Sequence, residues 1–136
     1  MLKTICYISD SYGSHSYEDL KMLYEKAKKN NQKNEITGVL IYNNGNFLQV
    51  LEGHPERVDA TYSRIELDYR HQNIFKVINI NIEQRIFEDY NFGFTIIDDF
   101  KEFSELNQYL EWLKNAENKV ANKVITVVEN FIGSMR

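Results

Sequence analysis

Apolar and polar residues alternate along residues 2–9, and a period of two is typical of a β-strand. One face of this predicted strand carries Ile5, Tyr7 and Ser9. The apolar positions then take a helical spacing, at Leu20, Leu23, Tyr24 and Ala27. Asn31 lies four residues beyond the last of these and continues the same stripe if the helix persists.

A β-hairpin and a second helix are predicted next. Residues 36–43 and 46–52 are two apolar runs joined by an Asn-rich turn that contains a glycine. Pro55 suits the first turn of a helix. We expect this helix to end near Arg70-His71, with an apolar face made of Val58, Tyr62, Ile65 and Tyr69.

Two further strands complete the predicted sheet. Residues 75–82 form a fourth apolar run, and residues 92–97 form a fifth. The order strand, helix, strand, strand, helix, strand is the split βαβ pattern of ferredoxin-like folds. The predicted fold class is therefore α+β, a ferredoxin-like βαββαβ sheet with an added fifth strand and two helices on one face.

The C-terminal part of the chain predicts two more helices, which separate near residues 115–118. The first is marked by Leu106, Leu110 and Leu113, and the second by Val120, Val124, Val127, Val128 and Phe131. Two apolar helices need a surface to cover, and the open face of the sheet, in this chain or in a neighbouring one, offers it. We expect residues 1–98 to form the main domain and residues 99–136 to form a helical extension packed on it.

Composition narrows the functional classes. The chain has 136 residues, is 43% hydrophobic and carries a net charge of −4, which does not favour a nucleic-acid partner. Its one cysteine excludes an internal disulfide, and it has no apolar run long enough for a membrane span. The three histidines lack metal-ligand spacing. We expect a cytoplasmic protein without a metal site and without a membrane partner.

Gln49 is the most informative single residue. It lies within the apolar run of the second hairpin strand, between Leu48 and Val50. A polar side chain there needs a hydrogen-bond partner, because burial without one is unfavourable. An amide offers both donors and an acceptor. Gln49 is therefore either a satisfied core residue or a residue that binds a ligand.

Other polar candidates have ordinary structural explanations as well. Tyr7 fits a core tyrosine, and Asn31 fits a residue that caps a helix C-terminus. Arg70 and His71 fit cations that complement a helix dipole. The carboxylates Glu52 and Asp68 lie at the ends of predicted elements, where solvated or capping roles explain them.

In combination, these residues resemble the BLUF family, the flavin-binding sensors of blue light. The resemblance covers about residues 2–97, and the order and spacing of its segments agree with the family. Those segments are Tyr7-Ile8-Ser9, Asn31 followed by Ile36-Thr37-Gly38, Phe47-Leu48-Gln49-Val50-Leu51-Glu52-Gly53, and Asp68-Tyr69-Arg70-His71.

The resemblance implies FAD as cofactor, with its ring between the two helices and over the sheet. It implies that Tyr7 donates an electron to the excited flavin and that Gln49 bridges this tyrosine and the N5/O4 edge of the ring. It places Asn31 on the pyrimidine edge, and Arg70 and His71 near that same side.

The chain departs from the family before the fifth strand. The family usually has Trp-Ser-Met-Gly there, whereas this chain has Tyr90 at the Trp position and Phe92 at the Met position. Both residues are candidate modulators of the photochemistry. Aromatic packing in a strand is the alternative explanation for them.

The leading functional hypothesis is a blue-light photoreceptor that binds FAD and turns over no substrate. Its expected partners are a second copy of the chain, in a homo-oligomer, and an unidentified downstream signalling protein. One alternative is a small hydrolase on a ferredoxin-like fold. The other is a light-inactive interaction module that keeps the fold without the flavin.

Overall fold

A computed structural model describes residues 1–11, 17–43, 45–68, 71–87, 95–97, 100–114 and 119–133. Its strands are β1 Leu2–Ser11, β2 Thr37–Asn43, β3 Asn46–Gly53, β4 His71–Ile82 and β5 Thr95–Ile97. Its helices are α1 Tyr17–Lys33, α2 Pro55–Glu66, α3 Phe100–Lys114 and α4 Lys119–Gly133. Within these described residues no helix is long and apolar enough to cross a membrane.

The strands form one sheet in the order β4-β1-β3-β2-β5. The β1/β3, β1/β4 and β2/β3 pairs are antiparallel, and β5 joins the β2 edge in parallel. This arrangement confirms the predicted α+β, ferredoxin-like fold with an added strand. The strand predicted over 92–97 is described only from Thr95 onward.

The hairpin of β2 and β3 depends on a glycine with unusual backbone angles. Gly38 has a φ of +150°, and a Cβ atom added there would lie 1.9 Å from the carbonyl oxygen of Val50. Only a residue without a side chain permits this approach. Gly38 therefore allows β2 to approach β3 closely at Val50, the residue after Gln49.

The predicted end of α2 is wrong. The helix stops at Glu66 rather than near Arg70-His71. The backbone N–H of Leu67 bonds to the carbonyl of Arg64, which tightens the last turn. His71 begins β4 and pairs with Ser11 of β1, so sheet pairing starts four residues before the predicted strand.

Alternate residues of the strands face two different layers. On one side, Tyr7, Leu40 and Gln49 lie under α1 and α2, and we call this side the cavity face. On the other side, which we call the packed face, α3 and α4 cover the sheet with an apolar cluster. The buried members that mark this cluster are Cys6, Val39, Ile41, Leu48, Val50, Leu106, Leu110, Val124, Ile125 and Val128.

Candidate functional site

A cavity of about 510 Å³ lies on the cavity face, between α1 and α2. This volume falls in the range of small-molecule and cofactor sites. Both helices and the three central strands supply its lining, which consists of Tyr7, Leu23, Lys26, Ala27, Asn30, Asn31, Leu40, Phe47, Gln49, Thr61, Arg64, Ile65 and Asp68. The sequence-predicted residues Tyr7, Asn31 and Gln49 therefore meet in one cavity.

Tyr7 and Gln49 form a directly bonded pair in this cavity. They are opposite each other in the antiparallel register of β1 and β3, so their side chains leave the sheet on the same face. The Tyr7 hydroxyl donates a hydrogen bond of 2.5 Å to Gln49 Oε1. Both side chains are 3% exposed. A buried phenol is thus joined to a buried amide by one short bond.

The surroundings of Tyr7 keep its hydroxyl protonated. Burial raises the pKa of Tyr7, and its neighbours Tyr62 and Asp68 raise this pKa further. The Tyr62 ring stands edge-on to the Tyr7 ring, with 5.8 Å between centroids. Burial and these neighbours thus favour the protonated form of Tyr7, whose hydroxyl donates to Gln49 Oε1.

Asn31 supplies the observation that points most directly to a ligand. It lies in the last turn of α1 and is 2% exposed. Its backbone carbonyl accepts a hydrogen bond from Ile36, which fixes the residue as α1 ends. Its side-chain Nδ2 has no hydrogen-bond partner among the described residues. A buried donor without a partner costs about 1–3 kcal/mol, so a bound molecule with an acceptor atom would relieve that cost.

The donor set fits a flavin ring. The pyrimidine part of a flavin carries carbonyl and ring-nitrogen acceptors, and Asn31 offers an unpaired N–H to such a group. The other lining residues include apolar side chains such as Leu23, Leu40 and Ile65, against which a flat aromatic ring can pack.

The sequence pattern did not single out Lys26 or Arg64 among the charged lining residues, and it gave Asp68 a solvated or capping role. Lys26 comes from α1, Arg64 from α2, and Asp68 from the residues just after α2. Asp68 is half-buried in this wall rather than simply solvated at an element end.

The remaining predicted site residues fall where the structure describes no side chain. Arg70, Tyr90 and Phe92 lie outside the described residues. His71 is described only in its backbone, at the start of β4. No group of three or more His, Cys, Asp or Glu side chains that could hold a metal ion is present in the described part of the chain.

Comparison with known proteins gives a family with the same fold. The family model of BLUF, described as sensors of blue-light using FAD, matches residues 2–93. A curated relative is the photoactivated adenylate cyclase subunit beta of Euglena gracilis, 35% identical over 86 residues. That match covers 63% of this chain and 10% of the relative, so the chain spans about a tenth of that protein.

Solved structures are similar over most of the chain. The structure of BlrB, a BLUF protein in its dark state, has a TM-score of 0.70 and 26% identity, covering 93% of this chain and 94% of BlrB. Klebsiella pneumoniae BlrP1 with FMN and cyclic diGMP has a TM-score of 0.73 and 28% identity. That match covers 91% of this chain and 33% of BlrP1.

Proposed function

Because this chain belongs to the BLUF family, the sensors of blue light using FAD, we propose that it is a blue-light photoreceptor whose switch is the Tyr7–Gln49 pair. The observation that carries the proposal is the 2.5 Å bond between these side chains in the wall of a cavity of about 510 Å³. The proposed sensor turns over no substrate; its output is a change of hydrogen bonding.

The proposed cofactor-binding residues are Tyr7, Asn31 and Gln49, with Arg70 and His71 as further candidates. The flavin, when bound, supplies the absorption of blue light and an excited state that accepts an electron. Asn31 orients the ring by donating its unpaired Nδ2 hydrogens. The preferred flavin is FAD, as in the family's description, and FMN is the alternative that chemical identification must separate.

Tyr7 and Gln49 perform the switching steps in this proposal. Tyr7 would give an electron to the excited flavin, and its hydroxyl proton would move along the existing bond to Gln49 Oε1. Both would then return to Tyr7, the electron from the cofactor and the proton from the Gln49 amide, which would be left rotated or as its tautomer. The outcome is a two-state element set by one local hydrogen-bond change. Tyr90 and Phe92 are proposed to modulate these steps.

Absorption spectroscopy tests the switch. The purified protein should be yellow, with a reversible red shift of the flavin band in blue light. Tyr7→Phe and Gln49→Leu should retain flavin and lose the normal red shift, because each removes one partner of the bond. The matched control is Gln32→Leu, since Gln32 is an exposed glutamine on α1.

Two outcomes would contradict the assignment of roles. A normal red shift and recovery in Gln49→Leu would exclude Gln49 as the switch. Normal cycling in Tyr7→Phe with none in Tyr90→Phe would transfer the donor role to Tyr90. Chromatography of the released cofactor would distinguish FAD from FMN, and a colourless protein that cannot be reconstituted would favour the light-inactive interaction module.

We also propose that the sensor assembles as a homo-oligomer and signals to a further protein. In this proposal residues 1–98 bind the flavin, and residues 99–136 form the extension through which the signal leaves. The extension buries Leu106, Leu110 and Val124 on the sheet of the same chain, whereas Trp112 is 58% exposed. Light scattering in the dark and in blue light tests this, and a monomer in both states would refute self-association.

A further inference from the structure

Glu52 is a carboxylate without solvent exposure on the packed face. It is 0% exposed, whereas the sequence pattern suggested a solvated or capping role for it. Glutamate is almost never fully buried unless its charge is paired or hydrogen-bonded. Its position in the sheet therefore requires an explanation from its contacts.

Three donors converge on the Glu52 carboxylate. Oε1 accepts hydrogen bonds from Thr37 Oγ1 at 2.8 Å and from the backbone N–H of Phe87 at 2.7 Å. Oε2 accepts a bond from the backbone N–H of Ile86 at 2.8 Å. Arg85 Nη1 donates to Thr37 Oγ1 at 2.9 Å and to the backbone carbonyl of Glu52 at 3.1 Å. Both oxygens of the carboxylate are thus satisfied.

These contacts fix a segment that has no regular structure of its own. Residues 85–87 follow β4 and belong to no helix or strand. Their position therefore depends on contacts with other elements, and the hydrogen bonds from their backbone N–H groups to Glu52 are buried. Both Ile86 and Phe87 are buried in the apolar cluster of the packed face.

The same segment is bonded on its other side to α3. The Tyr109 hydroxyl donates a 2.8 Å hydrogen bond to the backbone carbonyl of Ile86. The rings of Phe87 and Tyr109 also lie 6.2 Å apart between centroids. A continuous set of contacts thus runs from Glu52 through residues 86–87 to α3.

Glu52 and Gln49 belong to the same central strand. They are three residues apart in β3, and their side chains leave the sheet on opposite faces. Three residues of a strand span about 10 Å. A shift of β3 caused by a new hydrogen bond at Gln49 would therefore also move the Glu52 carboxylate.

We propose that Glu52 is a positioning residue that holds residues 86–87 to β3 and so transmits a hydrogen-bond change at Gln49 to α3. The inference rests on the proposed photoreceptor function. It assigns to the buried carboxylate a role in the coupling between the cavity face and the packed face, beyond a contribution to stability.

Hydrogen exchange of the α3 backbone amides, measured in the dark and in blue light, tests the proposal. Glu52→Gln keeps the shape of the side chain and replaces one acceptor oxygen with an amide that opposes the backbone N–H donors. We expect this variant to retain the red shift and to lose more than half of the light-minus-dark difference in α3. Glu56→Gln, at an exposed position of α2, is the matched control and should respond as the wild type does.

Tyr109→Phe provides a second variant in case Glu52→Gln does not fold. It removes only the hydroxyl that bonds to Ile86, and it should also reduce the light-driven difference in α3. Glu105→Gln, at an exposed position of the same helix, should not.

The proposal is overturned if Glu52→Gln keeps a red shift together with a wild-type light response in α3. Faster exchange in the dark with an unchanged light-driven difference would likewise assign Glu52 a structural role only. If Glu52→Gln does not fold, an unreduced response in Tyr109→Phe overturns the proposal. Absence of a red shift in the wild type would refute the photoreceptor function itself, which separates the two failures.

Discussion

The two faces of the sheet use the same central strands for opposite purposes. On the cavity face, Tyr7 and Gln49 border an open volume of about 510 Å³. On the packed face, the alternating neighbours Cys6, Leu48 and Val50 are in contact with α3 and α4 and lie in a dense apolar cluster. One face therefore keeps room for a ligand, whereas the other supplies the bulk of the core.

Two buried polar side chains, one on each face, also differ in their hydrogen bonding. On the cavity face, Asn31 Nδ2 has no partner within the described part of the chain. On the packed face, both carboxylate oxygens of Glu52 accept hydrogen bonds from the protein. The satisfied Glu52 fixes structure, whereas Asn31 combines an unused donor with an open cavity and is available for a ligand.

Truncation of a leucine on each face should have the largest effect. Leu106→Ala removes a fully buried side chain of α3, and we expect a loss of about 2–5 kcal/mol in the free energy of unfolding. Leu40→Ala borders the cavity and should lose less, because its neighbourhood is already partly open. Leu40→Ala should weaken flavin binding more than Leu106→Ala does.

Urea unfolding of the flavin-free proteins and flavin titration of both variants measure these effects. The cavity face would not be the ligand-binding face if Leu106→Ala weakened flavin binding more than Leu40→Ala did while both proteins remained folded.

Substitution of Gly38 should disturb both faces at once. An alanine Cβ would meet the Val50 carbonyl at 1.9 Å, with φ at +150°, and we expect a loss of about 3 kcal/mol from overpacking and backbone strain. Gly45→Ala is the matched control. Gly45 has a φ of +84° with no atom within 4 Å of the added Cβ, so only strain of about 1 kcal/mol is expected. Equal midpoints of thermal unfolding for the two variants would contradict this account.

The alternation of residues made both faces predictable from the sequence. The period of two in β1 correctly separated Tyr7 from Cys6, and the buried amide Gln49 was found because its neighbours are apolar. The same reasoning applied to Glu52 would have identified a second buried polar side chain. It was missed because Glu52 precedes Gly53 at the end of the strand, where exposure is the usual outcome.

Positions set by chain ends and loops were less predictable. The helical period of α2 extends through Tyr69, yet the helix stops at Glu66 because sheet pairing begins at His71. The partners of Glu52 are backbone N–H groups of Ile86 and Phe87. No side-chain pattern reports such contacts, since every residue except proline offers the same donor.

The free energy of unfolding should depend on pH through Glu52, the buried carboxyl of the packed face. Burial raises the pKa of its carboxyl, while the hydrogen bonds from Ile86, Phe87 and Thr37 and the charge of Arg85 partly oppose this rise. A folded-state pKa above the unfolded value means that the folded state binds more protons between the two values. The stabilising contribution of Glu52 to the free energy of unfolding is therefore fully present below the unfolded pKa, about 4.3. It is lost as pH rises through the folded-state pKa.

Urea unfolding of the wild type and Glu52→Gln across this pH range measures the contribution. The stability of the wild type relative to the variant should fall as pH rises. A relative stability that increased with pH would show that the hydrogen bonds outweigh burial at this carboxylate. Glu56→Gln, at an exposed position of α2, is the matched control.

The smallest expected effects compare one unpaired polar atom from each face. Thr4 Oγ1 on the packed face and Asn31 Nδ2 on the cavity face are both buried without a partner among the described residues. Thr4→Val replaces the hydroxyl with a methyl group of similar size, so the free energy of unfolding should stay constant or rise by about 1 kcal/mol.

Asn31→Leu should have a similarly small effect on the flavin-free protein, but it should weaken flavin binding about tenfold, since one hydrogen bond contributes about 1.4 kcal/mol. Thr4→Val should leave flavin affinity unchanged, because the packed face does not contact the cavity. Unfolding and flavin titration of both variants decide the matter: equal flavin affinities for Asn31→Leu and the wild type would remove Asn31 from the binding site.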